Sequence, residues 1–384
     1  MNQSLFLLCL LTGISLLQAQ NDKKKWDVSS PEGIPYSDVE FTVTEGTWMN
    51  LDVSTDGQTI AFDLLGDIYT MPITGGDATC IRSGIAWEVQ PRFSPDGKQI
   101  LFTSDAAGGD NIWVMNADGS EARQVTKENF RLLNNACWMP DGQYFVARKH
   151  FTSTRSLGAG ELWMYHTSGG EGLQLTKRKN DQQDAANEAS VSPDGRYIYF
   201  SEDMYPGGMF NYNKDPLKQI MAIRRYDMQE GKVENVTGGS GGAFRPQISP
   251  DGNYLAFVRR VDTKTVLFIR DMRLGGEYPI YDKLDKDQQE AWTIFGCYPG
   301  FSWVTVNKPH GQEYEIVIWA GGKLKKLRVL NPETMDRDPS IESGPPPVPV
   351  EEIPFSCTVK TKVAETLLFE NKIFEKEFDA KAIS

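Results

Sequence analysis

A chain of 384 residues with a net charge of −12 is a poor partner for nucleic acid or an anionic membrane surface, both of which would repel it. Its 40% hydrophobic and 11% aromatic content is that of a packed globular protein. The length suits two average domains or a single repeat array.

The first residues read as a leader. Leu5–Leu17 is an apolar run of signal-peptide length, too short to span a bilayer, and Leu17-Gln18-Ala19 supplies a small residue for cleavage. Residues 1–19 are therefore expected to be a signal peptide, with no membrane span after cleavage and a periplasmic or secreted location. Lys23-Lys24-Lys25 follows the run rather than preceding it, so an uncleaved anchor is the alternative. Cys9 is preceded by Leu7 and Leu8, not the small residues of a lipoprotein site. Residues 20–38 are polar and form a flexible lead-in.

Residues 39–356 are organised by one recurring turn. Ser54-Thr55-Asp56-Gly57, Ser94-Pro95-Asp96-Gly97, Met139-Pro140-Asp141-Gly142, Ser192-Pro193-Asp194-Gly195 and Ser249-Pro250-Asp251-Gly252 are each followed by a strand-like run. Proline pre-sets the turn's second position and glycine takes the left-handed conformation that closes it. Each unit divides into four short strands, in the second Pro91–Ser94, Gln99–Ser104, Asn111–Asn116 and Ala122–Thr126. A sixth unit lacks the turn and replaces it with a longer loop, Thr305–Glu313. Its strands are Gly300–Val304, Tyr314–Ala320, Lys323–Val329 and Glu351–Phe355. Four antiparallel strands per unit, without helices, predict an all-β, six-bladed β-propeller. Val39–Thr44 is the candidate N-terminal strand for ring closure: paired with the sixth blade it closes the ring, and unpaired it leaves an open edge. Residues 331–350 form an irregular Pro-rich tail, and 357–384 a C-terminal extension that reads as the start of a truncated next domain. Within it Cys357–Lys362 is a candidate strand and Val363–Phe378 a candidate helix.

Strand parity divides the loops between two faces. First-to-second and third-to-fourth connections share one face and are tight. Second-to-third and blade-to-blade connections share the other and carry the length: Phe151–Gly160, Lys177–Asn187, Asp203–Lys218 and Asp282–Pro299. Insertions on one face of a repeat array mark its binding face.

Candidate binding residues on that elaborated face are Lys149, His150, Arg155, Asp181, Arg259, Arg260, Glu290 and Trp292. Arg148-Lys149-His150 and Arg259-Arg260 end the second strands of the third and fifth units, a placement for a local anion site or for ion pairs with Asp181, Asp184 or Glu290. Exposed aromatics, among them Trp87, Tyr205, Phe210 and Tyr212, would grip a peptide or a partner domain. The three histidines stand in no His-x-His or Glu-x-x-His pairing and no Gly-x-Ser-x-Gly elbow occurs, so no catalytic residue, metal or cofactor is predicted. An enzyme built on Lys149, His150 and Glu290 is the weakest alternative. Cys80, Cys137, Cys297 and Cys357 are expected to be buried free thiols.

Phe93-Ser94-Pro95-Asp96-Gly97, Asp110-Asn111-Ile112-Trp113-Val114-Met115 and Gln124-Val125-Thr126 resemble the TolB-like and tricorn-type propeller repeat. Phe62–Tyr69, Arg148–Gly158, Asp287–Trp292 and Ile318–Lys323 are similar to the propeller that precedes the barrel of exported bacterial amidohydrolases. That likeness implies a non-catalytic module that docks on, or gates, a metal-dependent hydrolase acting on C–N bonds, whose metal ligands lie in the downstream barrel. The alternative is a free-standing TolB-like module that binds a protein or peptide.

Overall fold

The recurring turn is built the same way each time. Ser94 Oγ donates to Asp96 Oδ1 at 2.6 Å and accepts from Gln99 N–H at 2.9 Å, while Gly97 N–H donates to Ser94 O at 2.8 Å. Gly97 stands at φ 71°, where a side chain would be strained. The Ser94 hydroxyl and Lys98 N–H together hold the Asp96 carboxyl below its usual range. Ser54, Ser192 and Ser249 repeat the bond to Asp56, Asp194 and Asp251. Met139 lacks the hydroxyl, and there Asp141 itself accepts from Gln143 and Tyr144 N–H.

The computed structural model describes residues 28, 33, 35–129, 132–151, 160–177, 186–204, 219–285, 298–308, 311–329 and 348–364. The expected leader, the Pro-rich stretch 331–347 and the candidate helix beyond 364 lie outside them. Strand β1 (Tyr36–Val43) precedes the first blade, β2 to β5 (Leu51–Val53, Thr59–Leu64, Asp67–Pro72, Gly76–Arg82). The second blade is β6 to β9 (Glu88–Phe93, Gln99–Ser104, Asn111–Asn116, Arg123–Gln124) and the third β10 to β13 (Leu133–Trp138, Tyr144–His150, Gly160–His166, Gly169–Gln174). Then come β14 to β17 (Ala186–Val191, Tyr197–Asp203, Met221–Asp227, Lys232–Thr237) and β18 to β21 (Phe244–Ile248, Tyr254–Val261, Lys264–Asp271, Glu277–Tyr281). The sixth blade is β22 to β25 (Phe301–Lys308, Gly311–Ala320, Lys323–Val329, Val350–Ile353), and β26 (Phe355–Ala364) follows. All six blades are four-stranded and antiparallel, so the chain is a six-bladed, all-β propeller.

Second strands are the most buried: Ile100, Leu101 and Phe102 are fully enclosed, as are Ile60, Ala61 and Phe62. Apolar residues from neighbouring blades meet in clusters such as Leu101, Val114, Leu133, Phe145 and Tyr165 between blades two and three. Polar stitches join the same neighbours. Trp138 Nε1 donates to Arg92 O (3.0 Å), Trp303 Nε1 to Gln247 O (2.9 Å), and Arg245 N–H to Ser201 Oγ (3.0 Å).

The N-terminal candidate strand does not join the sixth blade. β1, which contains most of Val39–Thr44, pairs not with the sixth blade but with β26, from Tyr36↔Ala364 to Val43↔Cys357. β26 in turn runs parallel to β5 over Phe355–Cys357, so blade one carries two extra strands on its outer edge. The chain thus steps from the outer strand of blade six across Pro354 to the outer edge of blade one. Between blades six and one, Trp319 Nε1 donates to Gly46 O (2.8 Å) and Ser302 Oγ to Asp52 Oδ1 (2.7 Å), while Met49, Leu51, Val304, Val317 and Val359 share one core. Thr305–Glu313 is likewise no long loop: β22 and β23 continue their ladder as far as Lys308↔Gly311.

Innermost strands begin earlier than predicted because each of β6, β10 and β18 contains a bulge, with Gln90, Asn135 and Arg245 at φ 62°, 51° and 61°. The bulge turns a polar side chain or backbone N–H toward the next blade: Asn135 N–H donates to Gln90 Oε1 at 2.7 Å. Of the described cysteines, all free, Cys357 is buried and Cys137 half-buried, but Cys80 is exposed on the outer strand β5.

Candidate functional site

Position along the blade decides which side chains reach the elaborated face. Ends of second strands and starts of first strands meet there, around the axis. In blade three Arg148, fully buried, donates from Nε to Ala186 O (2.9 Å) and from Nη1 to His150 Nε2 (2.7 Å). A guanidinium has no acceptor, so His150 accepts at Nε2 and carries its proton on Nδ1. Burial, and then the Arg148 charge, push the imidazole well below its ordinary range, so it is neutral at physiological pH. Its Nδ1–H is buried without an acceptor among the described residues.

Lys149 turns the other way, toward blade two. Its Nζ lies 2.6 Å from Glu128 Oε1 and 4.1 Å from the centroid of the Trp163 ring. These three line a groove of about 690 Å³ that runs past Gln124 and Lys127 to the hairpin Ser168–Gly172. β9, only two residues long, ends at the groove with Gln124.

Arg259 is committed to the seam between blades four and five. It donates to Glu277 Oε2 (2.7 Å), Gly238 O (3.0 Å) and Gly242 O (3.1 Å), stacked over Phe257 and Phe268. Arg260 is buried, and its N–H donates to Gly241 O at 3.1 Å. A Cβ on Gly241 would lie 2.0 Å from Arg260 O, which explains the Gly-rich run as a close blade-to-blade crossing. The two basic clusters therefore occupy equivalent strand ends, and Lys149 and Arg259 each engage a partner at a different blade interface. Arg155, Asp181, Glu290 and Trp292 lie outside the described residues, as do Tyr205, Phe210 and Tyr212.

Sequence reasoning named Trp87 on this face but missed Trp48 and Leu65. The three are 44%, 60% and 55% exposed, and all belong to connections of blades one and two. Trp48 and Leu65 stand at φ 55° and 54°, left-handed values that cost a bulky residue energy and hold the side chain outward. Trp48 stacks on Tyr298 at 6.2 Å, and the Trp87 ring lies so close over Gly66 that a Cβ there would meet it at 2.6 Å. Asp105 accepts from Trp87 N–H (2.8 Å), and burial pushes both Asp67 and Asp110 up to about 6. No signal in the sequence separates an exposed Trp48 or Leu65 from a core residue; the strained backbone shows it only in three dimensions.

Deeper, Asp63 joins blades one and two. It accepts from Asn50 N–H (2.8 Å), Asn50 Nδ2 (2.7 Å) and Gln90 N–H (2.7 Å). Complete burial outweighs those bonds and lifts its pKa to about 6. Among the described residues no three His, Cys, Asp or Glu side chains converge as a metal would require, and no helix is long and apolar enough to cross a membrane.

Residues 42–212 match the family model of the TolB beta propeller domain. The Tol-Pal system protein TolB of Francisella tularensis is 26% identical over 211 residues, which are 53% of this chain and 44% of that protein. An uncharacterised peptidase of Bacillus subtilis is 26% identical over 198 residues, 50% of this chain and 25% of that one. The solved structure of a TolB-like protein from Agrobacterium tumefaciens superposes with a TM-score of 0.52 at 18% identity, covering 74% of this chain and 99% of that chain. The chain spans about half or less of the length of the curated relatives it matches. The fold is thus a TolB-like β-propeller.

Proposed function

We propose that this propeller is an exported, non-catalytic module that binds a protein or peptide through its elaborated face. The observation that carries this reading is the exposure of Trp48, Leu65 and Trp87, large apolar side chains held in water on the face where the insertions collect. Tryptophan is enriched at the centres of interfaces. The likeness to TolB supports a protein partner and a periplasmic setting.

A hydrolase is the second reading for that partner. One relative is named a peptidase, and the part it shares with this chain is a quarter of its length. This supports a propeller that docks on or gates a hydrolase of C–N bonds, the arrangement that the amidohydrolase resemblance implies. The test is affinity capture from periplasmic extract with three baits: the wild type, Trp48→Ser/Trp87→Ser, and Leu274→Ser on the opposite face. A partner retained by the wild type and Leu274→Ser but lost by the double variant supports the reading. Equal recovery on all three overturns it.

A further inference from the structure

We propose that the outer edge of β1 docks an extended segment of another polypeptide, which adds to it as a strand with apolar and basic side chains in alternation. β1 is the last strand of a six-stranded sheet, and no strand lies beside its outer edge among the described residues. Only Phe355–Cys357 of β26 pair with β5, so Thr358–Ala364 and Tyr36–Thr42 form a two-stranded ribbon beyond the blade. Edge strands are normally blunted by charged side chains, lysine above all, by proline or by a bulge. β1 has no lysine, proline or bulge and pairs in unbroken register, and its two charges, Asp38 and Glu40, are engaged by lysines of β26.

The two faces of the ribbon specify what would fit. On one, Val359 and Cys357 are fully buried on β26, while Val39 and Phe41 beside them on β1 are 37% and 39% exposed. This apolar row is covered from the inside and open at the edge. On the other, Lys362 Nζ lies 2.6 Å from Asp38 Oδ1, and Lys360 Nζ lies 3.4 Å from Glu40 Oε2. Each lysine takes one oxygen, and a carboxylate accommodates further donors. The row thus runs cation on β26, then anion on β1, so cations on the next strand continue the alternation. A second copy fits poorly. Two-fold antiparallel pairing centred on Asp38, Val39 or Glu40 sets carboxylates against one another, and like charges directly opposite are destabilising.

The probe is a fluorescent decapeptide of alternating lysine and valine, titrated against the full chain by anisotropy. Controls are its glutamate–valine counterpart and a version N-methylated at alternate amides along the pairing edge. The lysine peptide is expected to bind at least roughly tenfold tighter than either, and to slow amide exchange in Tyr36–Val43. The variant Asp38→Lys/Glu40→Lys/Lys360→Glu/Lys362→Asp keeps the internal ladder while reversing the edge. It should prefer the glutamate peptide. Equal binding of the N-methylated peptide, an unchanged preference in the swapped variant, or protection elsewhere in the chain would overturn the proposal. So would a concentration-dependent dimer in sedimentation that protects Tyr36–Val43. Trp48→Ser/Trp87→Ser should leave peptide binding unchanged, which separates this surface from the elaborated face.

Discussion

Replacing Asp63 by asparagine should change the stability of the propeller by an amount that depends on pH. The carboxylate is fully enclosed between blades one and two, and burial raises its pKa from 3.8 to about 6. At about 1.36 kcal/mol per pH unit, that difference is worth roughly 3 kcal/mol. Between the two values the folded protein holds a proton that the unfolded chain has released, so stability falls as pH rises through this window. Below 3.8 both states are protonated and the effect vanishes; above about 6 the loss is complete. Asparagine cannot ionise but presents an NH2 where one carboxylate oxygen accepts a hydrogen bond, at a cost of about 1–3 kcal/mol for the buried donor left unpaired. The Asp63→Asn penalty should therefore be roughly 2–3 kcal/mol smaller at pH 7 than at pH 4. Urea unfolding of both proteins at the two pH values measures it. A penalty that is the same at both would show that Asp63 titrates as an ordinary exposed carboxylate, refuting the buried inter-blade role.

Glu277→Ala removes the acceptor shared by Arg259, Arg270 and Thr237 and should cost about 2–3 kcal/mol in denaturant unfolding. Burial opposes ionisation of Glu277, but Thr237, Arg259 and Arg270 outweigh it and depress the pKa. The wild-type advantage is therefore present above the ordinary pKa of 4.5 and lost as pH falls through the depressed one. Gly119→Ala puts a Cβ 2.1 Å from Ile81 O at φ +87° and should lower stability by about 1–3 kcal/mol, seen as a lower melting temperature. His150 should remain neutral with Nδ1 protonated from pH 5 to 8 by nitrogen NMR; a titration in that range would contradict the Arg148 contact. Cys80 should be alkylated in the native protein, while Cys357, with its thiol pushed up to about 11 by burial, reacts only as β26 unfolds. Peptide mapping distinguishes the two.

Second and third strands were legible to the residue in several blades. Thr59–Leu64, Gln99–Ser104 and Asn111–Asn116 stand as the apolar alternation and turn chemistry placed them. First strands were not, because a bulge at Gln90, Asn135 or Arg245 shifts the alternation by one residue and makes the start of the strand read as loop. The partnership of β1 with β26 joins residues more than three hundred positions apart through side chains as plain as Val39 and Thr361, and no local pattern announces it. Lys149 was visible as a basic residue at a strand end, whereas its partners Glu128 and Trp163 come from other strands or a neighbouring blade. The exposed state of Trp48 and Leu65 depends on left-handed backbone at residues that usually avoid it.

The proposed contact with a protein partner lies on the elaborated face, not on the face of tight turns. Site-specific incorporation of benzoylphenylalanine tests it directly, at position 87 on the first face and at position 98, beside the Pro95-Asp96-Gly97 turn, on the second. After irradiation in cells, discrete adducts are predicted from position 87 and none from position 98. Adducts from position 98 alone, or the same set from both, would contradict it.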